Sequence, residues 1–499
     1  MSVEFDTNEK MVERIFNIKK GVMHCSLSIF YMSSITSILV ICMGISMELE
    51  NKMVLVLGTG ISGIAATELL QQAKANITLF DSNIELDVEA VKRSIGDVER
   101  VNIVTGELTE EVIASLDLMI ISPGVPTDLP LVNKIREAGV PIWGEIELAY
   151  QFEKGHLAAI TGTNGKTTTT ALTGAIMKTY FESVFVVGNI GIPYTNVVAQ
   201  TDKDSVTVAE MSSFQLETIQ KFRPAVSAIL NITPDHLNRH HTMENYIEAK
   251  VNITKNQTPY DTCVLNYEDE ILRDIGKKLK VRVIYFSSAR ELEEGIYLKG
   301  EDIYSRFDGT ETKICNVHEL KVIGKHSYEN VMAGIAIAIT MNVPMEYIKK
   351  AICSFEAVEH RIEYVATKRG VKYYNDSKGT NPDAAIKGIQ SMSTPTMLIG
   401  GGYDKDSDYT EWIQAFDGKV KKLVLIGQTK EKIANTAKKC GFTDYVFADS
   451  LEEAFAICMN EAKTGEAVLL SPACASWGMF KDYEQRGTVF KELVHKIEE

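Results

Sequence analysis

An eight-residue stretch near the middle of the chain, Thr161-Gly-Thr-Asn-Gly-Lys-Thr-Thr168, constrains the fold more than any other feature. The apolar run before it, residues 156–160, predicts a buried strand, and the Thr- and Ala-rich segment 167–180 predicts a helix. In a strand, glycine turn and helix start, free backbone N–H groups converge and the helix dipole favours negative charge. The stretch therefore predicts an α/β unit with a phosphate site.

The residues of this loop indicate a nucleoside triphosphate as the ligand. Lys166 would contact the outer phosphates, and the hydroxyl of Thr167 or Thr168 would bind Mg²⁺. The loop is shorter than the common pattern G-x-x-x-x-G-K-[ST], whose first glycine would fall at Ile160. The predicted ATP contacts are Gly162, Thr163, Asn164, Gly165, Lys166, Thr167 and Thr168.

Length and charge restrict the remaining classes. A chain of 499 residues is too long for one hydrophobic core, so about three domains are expected. The formal net charge of −15, with no basic stripe, argues against a nucleic-acid partner. The eight cysteines are scattered, without C-x-x-C or zinc spacing, which is typical of a reducing cytosol.

The N-terminal residues 1–46 are unlike the rest of the chain. The segment from Gly21 to Met47 contains no Asp, Glu, Lys or Arg and is long enough for one membrane span of about 20 residues. It is rich in Ser, Thr, Cys and Met, which weakens that interpretation. A membrane anchor, a signal peptide and an extension ahead of a start at Met47 remain open.

A βαβ pattern follows this segment. The apolar strand 53–57 leads into Gly58-Thr-Gly-Ile-Ser-Gly63 and a helix to about residue 74, and strand 77–80 ends at Asp81. This G-x-G-x-x-G, with an acid 23 residues after its first glycine, is typical of dinucleotide-binding domains, although it is a weak signal alone. Further strands are predicted at 118–122 and 140–143. Ligands should lie at the carboxyl ends of such parallel strands.

Two more α/β units follow in the sequence. Their predicted strands are 184–187, 205–209, 226–230 and 263–266 in the second unit, and 371–374, 396–399, 423–426 and 467–470 in the third. The chain is therefore predicted to be α/β with three domains: residues 47–144, 145–357 and 358–499.

Several side chains near the predicted strand ends could bind a metal ion or take part in catalysis. Glu210 ends a strand beside the phosphate loop, where its carboxylate is well placed as a hard ligand for Mg²⁺. A glutamate that only faces solvent is an equal alternative. His236 follows the next strand, where a structural hydrogen-bonding role is the commoner one. Lys250 lies in a helical stretch, 246–255, and by itself reads as a surface lysine.

Three polar loops follow strands of the third unit. They are Asn375–Asn381, Gly400–Lys405 and Ser471–Trp477. Each alone could be a plain turn, but together they predict a substrate-binding rim at one edge of one sheet.

These blocks together resemble the Mur ligase family. T-G-T-N-G-K-T-T is similar to the loop shared by the family, whereas S-S-F-Q-L-E, N-D-S-K-G-T-N and S-P-A-C-A-S-W with F-K-D-Y-E-Q-R-G resemble the member that adds D-glutamate. The resemblance covers about residues 47–499. It implies a Rossmann-like UDP-binding domain, a central P-loop ATPase-type domain and a C-terminal Rossmann-like domain that binds the amino acid. It also implies cytoplasmic, ATP-dependent ligation of D-glutamate to UDP-MurNAc-L-alanine through an acyl phosphate, in peptidoglycan precursor synthesis.

The resemblance assigns roles to individual positions. It implies UDP contacts at Ile61, Ser62, Asp81, Ser82, Asn83, Ser122 and Gly124, with Asn83 standing where some relatives carry Arg. It implies catalytic roles for Lys166, Asn189, Lys250, His360, Asp376 and Lys378, and further ATP contacts at Ser327, Asn330 and Arg361. It implies D-glutamate contacts at Thr380, Lys405, Ser476 and Tyr483. It implies Mg²⁺ ligands at Thr167, Glu210, His236 and a carbamylated Lys250, with two ions, and a monomer that needs no membrane or nucleic acid.

Other functions stay open at this point. The nearest are a ligase of the same family for another amino acid and a folate polyglutamylase. An NAD-dependent oxidoreductase would use Gly58–Gly63 but would leave the phosphate loop without a role. A membrane-anchored nucleotide-binding switch would use the segment Gly21–Met47.

Overall fold

The structure, a computed structural model, describes residues 48–96, 98–189, 191–356 and 358–498. The segment Gly21–Met47, with its three interpretations, lies outside the described residues. Within the described ranges, no helix is both long and apolar enough to cross a membrane.

The N-terminal part of the described chain forms a five-stranded parallel sheet in the order β3-β2-β1-β4-β5. Its strands are β1 (Met53–Leu57), β2 (Asn76–Asp81), β3 (Val101–Thr105), β4 (Leu118–Ile121) and β5 (Ile142–Gly144). Its helices are α1 (Ile61–Gln72), α2 (Val88–Ile95), α3 (Glu110–Ser115) and α4 (Pro130–Glu137). Strands β1 and β4 are almost wholly apolar and buried, as a parallel sheet covered on both faces requires.

The central part of the described chain forms a nine-stranded sheet in the order β14-β13-β12-β11-β10-β9-β6-β8-β7. Its strands are β6 (His156–Thr161), β7 (Val184–Gly188), β8 (Val206–Glu210), β9 (Val226–Ile229), β10 (Thr262–Asn266), β11 (Arg282–Ser287), β12 (Gly295–Lys299), β13 (Asp302–Phe307) and β14 (Thr310–Asn316). The first strands are parallel, whereas β12, β13 and β14 form an antiparallel meander at one edge. The phosphate loop leaves β6, which lies between β9 and β8.

The helices of this central part cover both faces of the sheet. They are α5 (Glu145–Phe152), α6 (Lys166–Lys178), α7 (Tyr194–Val197), α8 (Ser213–Leu216), α9 (Leu237–His240), α10 (Met243–Val251), α11 (Glu270–Gly276), α12 (Lys325–Thr340) and α13 (Met345–Ser354). Helix α12 is buried along most of its length and packs against α6. This packing fixes the helix whose first turn borders the phosphate loop.

The C-terminal part of the described chain forms a six-stranded sheet in the order β15-β16-β20-β17-β18-β19. Its strands are β15 (Glu363–Lys368), β16 (Val371–Asn375), β17 (Thr396–Gly401), β18 (Val420–Ile426), β19 (Tyr445–Phe447) and β20 (Ala467–Leu470). Its helices are α14 (Pro382–Gln390), α15 (Thr410–Gln414), α16 (Lys430–Lys439), α17 (Leu451–Glu461) and α18 (Tyr483–His495). Strands β16, β20 and β17 are adjacent and parallel.

The three polar loops of the predicted rim therefore leave the same edge of this sheet. The Ser471 hydroxyl donates to Asp376 Oδ2 at 2.7 Å, which joins the loops after β20 and β16. A β-bridge between Tyr403 and Ala475 joins the loop after β17 to the loop after β20. The prediction that the three loops share one rim is confirmed.

The predicted α/β class and the repeated strand–helix alternation are confirmed, with shifts at some ends. The strand predicted at 140–143 begins only at Ile142, because Pro141 has no N–H for the ladder. The helical stretch predicted at 246–255 begins earlier, at Met243, where the Thr242 hydroxyl accepts from the Asn245 N–H at 3.2 Å. The domain boundaries stay a prediction.

Candidate functional site

The phosphate loop lies between β6 and α6 and is held from the side by one asparagine. Asn231, two residues after β9, accepts from the Asn164 N–H through Oδ1 at 2.8 Å and donates through Nδ2 to the Asn164 carbonyl at 3.0 Å. Gly165 has φ +86°, and a Cβ there would lie 2.4 Å from Asn330 Oδ1. Both its backbone conformation and its crowded surroundings therefore require glycine.

Two lysines converge on the carbonyl oxygen of Gly162. Lys166 Nζ donates to this oxygen at 2.9 Å and to the Thr163 carbonyl at 2.9 Å. Lys250 Nζ donates to the same Gly162 oxygen at 2.8 Å. Burial lowers the pKa of Lys166, and the carboxylate of Glu210 only partly offsets it. The loop thus concentrates positive charge where phosphates are predicted to bind.

Lys250 is not a surface lysine, so the interpretation from its helical stretch alone was wrong. The residue is only 2 % exposed, and its Nζ lies 4.6 Å from the centre of the Tyr246 ring. The Tyr246 hydroxyl in turn lies 3.0 Å from the Thr163 hydroxyl, so α10 packs directly under the phosphate loop. Burial, and then the Lys166 ammonium, lower the pKa of Lys250 well below its usual value.

Glu210 and Asn189 form a second group beside the loop. Glu210 ends β8 and is 2 % exposed, so the alternative of a solvated Glu is wrong. Asn189, which follows β7, donates through Nδ2 to Glu210 Oε1 at 3.1 Å. Asn189 therefore holds one oxygen of a buried carboxylate at the end of a strand next to β6.

His236 stands immediately before α9, with φ +53°. Burial lowers its pKa, the neighbouring Asp235 partly offsets this, and the Lys405 ammonium lowers it further. The imidazole is therefore neutral at neutral pH, which is the form that binds metals.

The donor set near the loop fits Mg²⁺ held together with a nucleotide. Among the described residues, no group of three or more His, Cys, Asp or Glu side chains is arranged to hold a metal by itself. Mg²⁺ with a phosphate ligand keeps several waters and uses only one or two protein ligands. The candidates Thr167, Glu210 and His236 supply hydroxyl, carboxylate and imidazole, and Lys250 would add a carboxylate only if carbamylated.

A cleft of about 640 Å³, partly open to solvent, lies between the central and C-terminal domains beside the phosphate loop. Ser327, Asn330 and Arg361, all predicted ATP contacts, line it. The Thr169 hydroxyl donates to Asn330 Oδ1 at 3.3 Å, which fixes that amide. Within the described chain, the buried Nε of Arg361 has no hydrogen-bond partner, so the cleft contains a free cationic donor suited to an anion.

The C-terminal domain touches the phosphate loop directly. Lys378 Nζ donates to the Thr167 hydroxyl at 3.1 Å, and Asn164 donates through Nδ2 to Asp383. The Thr233 hydroxyl also donates to Asp383 Oδ2, at 3.2 Å. Burial, helped by the Arg361 guanidinium, lowers the pKa of Lys378 to about 8. The structure thus brings Lys378 and Lys166 to the same loop from two domains.

Asp376 and His360 support the loop that carries Lys378. Asp376 is 1 % exposed, and burial raises its pKa to about 6 against the opposing effects of Arg361 and Ser471. His360 is buried, and its Nδ1 lies 2.9 Å from Asn375 Nδ2. Burial lowers the pKa of His360, although Glu359 opposes this. Both residues shape this loop, and contact with a nucleotide stays a prediction.

The four predicted D-glutamate contacts lie along the rim of the C-terminal sheet. Thr380 is half-buried in the loop after β16, and Ser476 is buried in the loop after β20. Lys405 is exposed, with its Nζ 5.1 Å from the Trp477 ring centre. Tyr483 begins α18, and its ring centre lies 5.2 Å from Lys378 Nζ. Amino-acid binding here therefore stays a prediction with a consistent location.

The predicted UDP contacts gather at the carboxyl ends of β1, β2 and β4. Asp81 Oδ2 accepts from the Thr59 hydroxyl at 2.7 Å, and its Oδ1 accepts from the Asn83 N–H at 3.0 Å. Burial would raise the pKa of Asp81, but these hydrogen bonds lower it overall. In the part of the chain that is described, the buried Oγ of Ser122 has no hydrogen-bond partner.

The other predicted UDP positions surround these two. Ile61 and Ser62 open α1, where Ile61 is exposed and Ser62 is half-buried. Ser82 and Asn83 follow β2, and Gly124 lies in the turn after β4. A Cβ at Gly58 would lie 2.8 Å from Ser122 Oγ, so the glycine turn and the Ser122 turn are packed together.

Three family models match this chain in succession. They are the Mur ligase MurD-like N-terminal domain over residues 52–144, the Mur ligase middle domain over 160–338, and the Mur ligase glutamate ligase domain over 360–474. The chain belongs to the Mur ligase family.

Curated Mur ligases match this chain over their whole length. A UDP-N-acetylmuramoylalanine–D-glutamate ligase of Lachnoclostridium phytofermentans is 61% identical over 453 residues, which is 91% of this chain and 100% of the relative. A protein of the same name from Lachnospira eligens is 56% identical over 452 residues, covering 90% of this chain and 100% of the relative. The matching family models and relatives therefore account for all three sheets.

Solved Mur ligases share the fold at low sequence identity. The UDP-N-acetylmuramate-alanine ligase MurC of Thermotoga maritima has a TM-score of 0.56 at 20% identity, covering 89% of this chain and all of that one. The MurF ligase of the same organism, solved in complex with ADP, has a TM-score of 0.55 at 17% identity, over 90% and 97% of the two chains. The predicted three-domain α/β architecture is confirmed, and the oxidoreductase alternative is set aside.

Several residues of this Mur ligase that shape the site were not identified from the sequence. Asn231 fixes the phosphate loop, Asp383 reaches it from the C-terminal domain, and Arg239 reaches the N-terminal domain. Arg486 is 1 % exposed and donates to the Ser377 hydroxyl, the Ser377 carbonyl and the Cys474 carbonyl. Asn231 directly follows a predicted strand end, which was a usable signal. The others depend on contacts between distant segments.

Proposed function

We propose that this Mur ligase joins D-glutamate to the terminal carboxylate of UDP-N-acetylmuramoyl-L-alanine, with conversion of ATP to ADP and phosphate. The observation that carries the proposal is the 61% identity, over the full length of the relative, to a protein named for this reaction. The glutamate ligase model over residues 360–474 supports the same amino-acid class. The site residues fit both nucleotide substrates.

The first step activates the carboxylate. A carboxylate is a poor acylating agent because its leaving group would be oxide, so the γ-phosphoryl group moves onto it to form an acyl phosphate. Lys166 leaves the Gly162 carbonyl to contact the phosphates, and Lys378 approaches them from the other domain. Glu210 and His236 would hold Mg²⁺, which would supply further positive charge to the phosphates.

The second step forms the amide bond. The D-glutamate amine attacks the acyl carbon, a tetrahedral intermediate forms, and phosphate leaves. The Lys405 ammonium and the Ser476 hydroxyl bind the D-glutamate carboxylates, while Lys378 stabilises the developing negative charge. Because the acyl phosphate is susceptible to hydrolysis, the contact between the C-terminal domain and the phosphate loop helps to exclude water.

We also propose that Lys250 is carbamylated. Its support is the environment of Lys250: burial and the neighbouring Lys166 lower its pKa, so more of the amine is neutral and able to react with carbon dioxide. A carbamate there would replace a repelled cation with an anion able to bind Mg²⁺. We expect Lys250→Ala to be impaired and to recover part of its activity with short carboxylates. Absence of recovery would leave the carbamate unsupported.

The same identity supports a cellular role in peptidoglycan precursor synthesis, and hence in cell shape and division. We propose a monomer in the cytoplasm that acts on small soluble substrates. Size-exclusion chromatography with light scattering tests the monomer, and fractionation of cells tests the location.

Substrate choice tests the proposed function. Phosphate release is measured with ATP, UDP-MurNAc-L-alanine and, in turn, D-glutamate, L-glutamate, L-alanine and meso-diaminopimelate. We expect stimulation by D-glutamate alone. Stimulation by another of these amino acids would identify a different ligase of the family.

A further inference from the structure

One arginine of the central domain holds a turn of the N-terminal domain. Arg239, in α9, donates through Nη1 to the Pro123 carbonyl at 3.3 Å and through Nη2 to the Val125 carbonyl at 3.1 Å. These carbonyls flank Gly124, in the turn predicted to contact UDP. The Arg239 side chain is only 13 % exposed, so the contact is well enclosed.

A buried polar chain fixes this arginine from behind. Arg239 Nη2 lies 2.9 Å from Glu217 Oε2, and Glu217 Oε1 lies 3.4 Å from His240 Nδ1. His240 Nε2 lies 2.9 Å from the Ser213 hydroxyl. A neutral imidazole with its proton on Nδ1 would donate to Glu217 and accept from Ser213, which satisfies each group in the chain. Arg239 therefore has one defined orientation.

An aromatic ring adds a third restraint and links the arginine to the reaction site. Arg239 Cζ lies 4.4 Å from the centre of the Phe214 ring. The His236 ring meets the same Phe214 ring edge-on at 5.0 Å. His236, a predicted Mg²⁺ ligand, lies three residues before Arg239 in the sequence. One short segment thus contacts both the UDP-side turn and the predicted metal site.

We propose that Arg239 is a positioning residue of the ligase reaction. It sets the distance between the turn Ser122–Val125, with its bound sugar nucleotide, and the phosphate loop, so that the acid lies in line with the γ-phosphate. The inference rests on the proposed function and goes beyond it, because Arg239 need not touch either nucleotide. Each nucleotide should still bind when Arg239 is lost, while transfer between them slows.

The variant Arg239→Met tests this separation of binding from chemistry. We expect kcat for ATP-dependent phosphate release to fall about 100-fold, as for a misplacement of about 1 Å between reacting groups. The Kd values for UDP and for a non-hydrolysable Mg·ATP analogue should stay within about twofold of the wild-type values. An unchanged kcat overturns the proposal, and so does a parallel loss of both binding affinities.

Two further variants make this test specific. Glu217→Gln keeps the shape of the side chain but removes the charge that orients Arg239. It should therefore lower kcat less than Arg239→Met does, again with little change in the two Kd values. Arg223→Met is the matched control: Arg223 Nε lies 2.8 Å from Asp261 Oδ2, and its other hydrogen bonds, to Thr258 and Asp261, also stay within the central domain. Its kcat should stay close to the wild-type value. A fall as large as that of Arg239→Met would overturn the positioning role.

A distance measurement separates this inference from the proposed function. Spin labels are attached through a keto amino acid at positions 93 and 260, exposed sites in the N-terminal and central domains. Pulsed electron resonance should give a broader distance distribution in Arg239→Met than in the wild type, without any turnover. Equal distributions would overturn the positioning role even if the ligase reaction is confirmed. A broader one would support the contact even if the substrate assignment fails.

Discussion

At the scale of single residues, the main feature of the site is an excess of positive charge at the phosphate loop. Lys166 and Lys250 donate to the same carbonyl oxygen, and Lys378 reaches the same loop by donating to the Thr167 hydroxyl. Burial lowers the pKa of all three lysines. A bound triphosphate would supply the missing anions, so the site is arranged for a ligand more negative than the protein alone provides.

Lys166 provides the most direct test at this scale. We expect Lys166→Met to lower the rate of phosphate release by about 10²–10³-fold, because a preorganised cation at the developing charge is removed. The control is Lys178→Met, which changes the exposed last residue of the same helix, α6. Phosphate release at the wild-type rate from Lys166→Met, with all substrates present, would contradict the site.

Lys378 predicts a pH dependence. Its pKa is lowered to about 8, so raising the pH through this value removes the proton and with it the charge that neutralises phosphate. We expect kcat/KM for ATP, which reports on the free enzyme, to fall as pH rises above about 8. Lys378→Arg, whose guanidinium stays protonated, should lose this decline even if its overall rate is lower. A wild-type profile flat to pH 9.5 would contradict the assignment.

At the scale of elements, the turn between β1 and α1 depends on one glycine contact. A Cβ at Gly63 would lie 1.9 Å from the Gly58 carbonyl oxygen, whereas one at Gly60 would meet no atom of the described residues within 4 Å. The helix packs against the turn that follows β1, so this contact decides how closely the two can approach.

Paired glycine variants test that turn. We expect Gly63→Ala to lower the free energy of unfolding by about 1–3 kcal/mol, because the backbone must shift, and to weaken UDP binding. Gly60→Ala, at φ −73°, should change stability by less than about 0.5 kcal/mol. Scanning calorimetry and UDP titration measure both. Equal behaviour of the two variants would show that close helix approach does not matter here.

Elements that are buried on both faces have continuous apolar sequences, and these elements could be predicted from the sequence. Strands Met53–Leu57 and Ala467–Leu470 were predicted with their observed ends for this reason. The strand Thr310–Asn316 was not identified, since four of its seven residues are exposed and polar and its stability comes from antiparallel pairing. The same limit applies to Lys250, whose burial depends on how α10 packs under a loop 88 residues away.

At the scale of the whole molecule, the site is completed by contacts between domains. Asp383, at the start of α14, meets Asn164 and Thr233 of the central domain. The Asn164 contact spans 219 residues of sequence, and local pattern carries no information about such pairs. The motifs therefore predicted which loops matter, but only the structure shows which side chains connect them.

Loss of Asp383 should uncouple the two half-reactions. We expect Asp383→Ala to release more than one phosphate per amide bond formed, because a looser contact admits water to the acyl phosphate. Glu431→Ala is the control, since Glu431 is likewise an acid in the first turn of a helix of this domain but is exposed. Parallel assays of phosphate and of product give the ratio. A ratio of one in Asp383→Ala would contradict a role in excluding water.

The most direct test of the whole account is the incorporation of radiolabelled D-glutamate into UDP-MurNAc-L-alanine by the purified protein. We predict labelled product only when ATP and Mg²⁺ are both present, with one phosphate released for each label incorporated. Incorporation that proceeds equally without ATP, or none under complete conditions, would contradict the account.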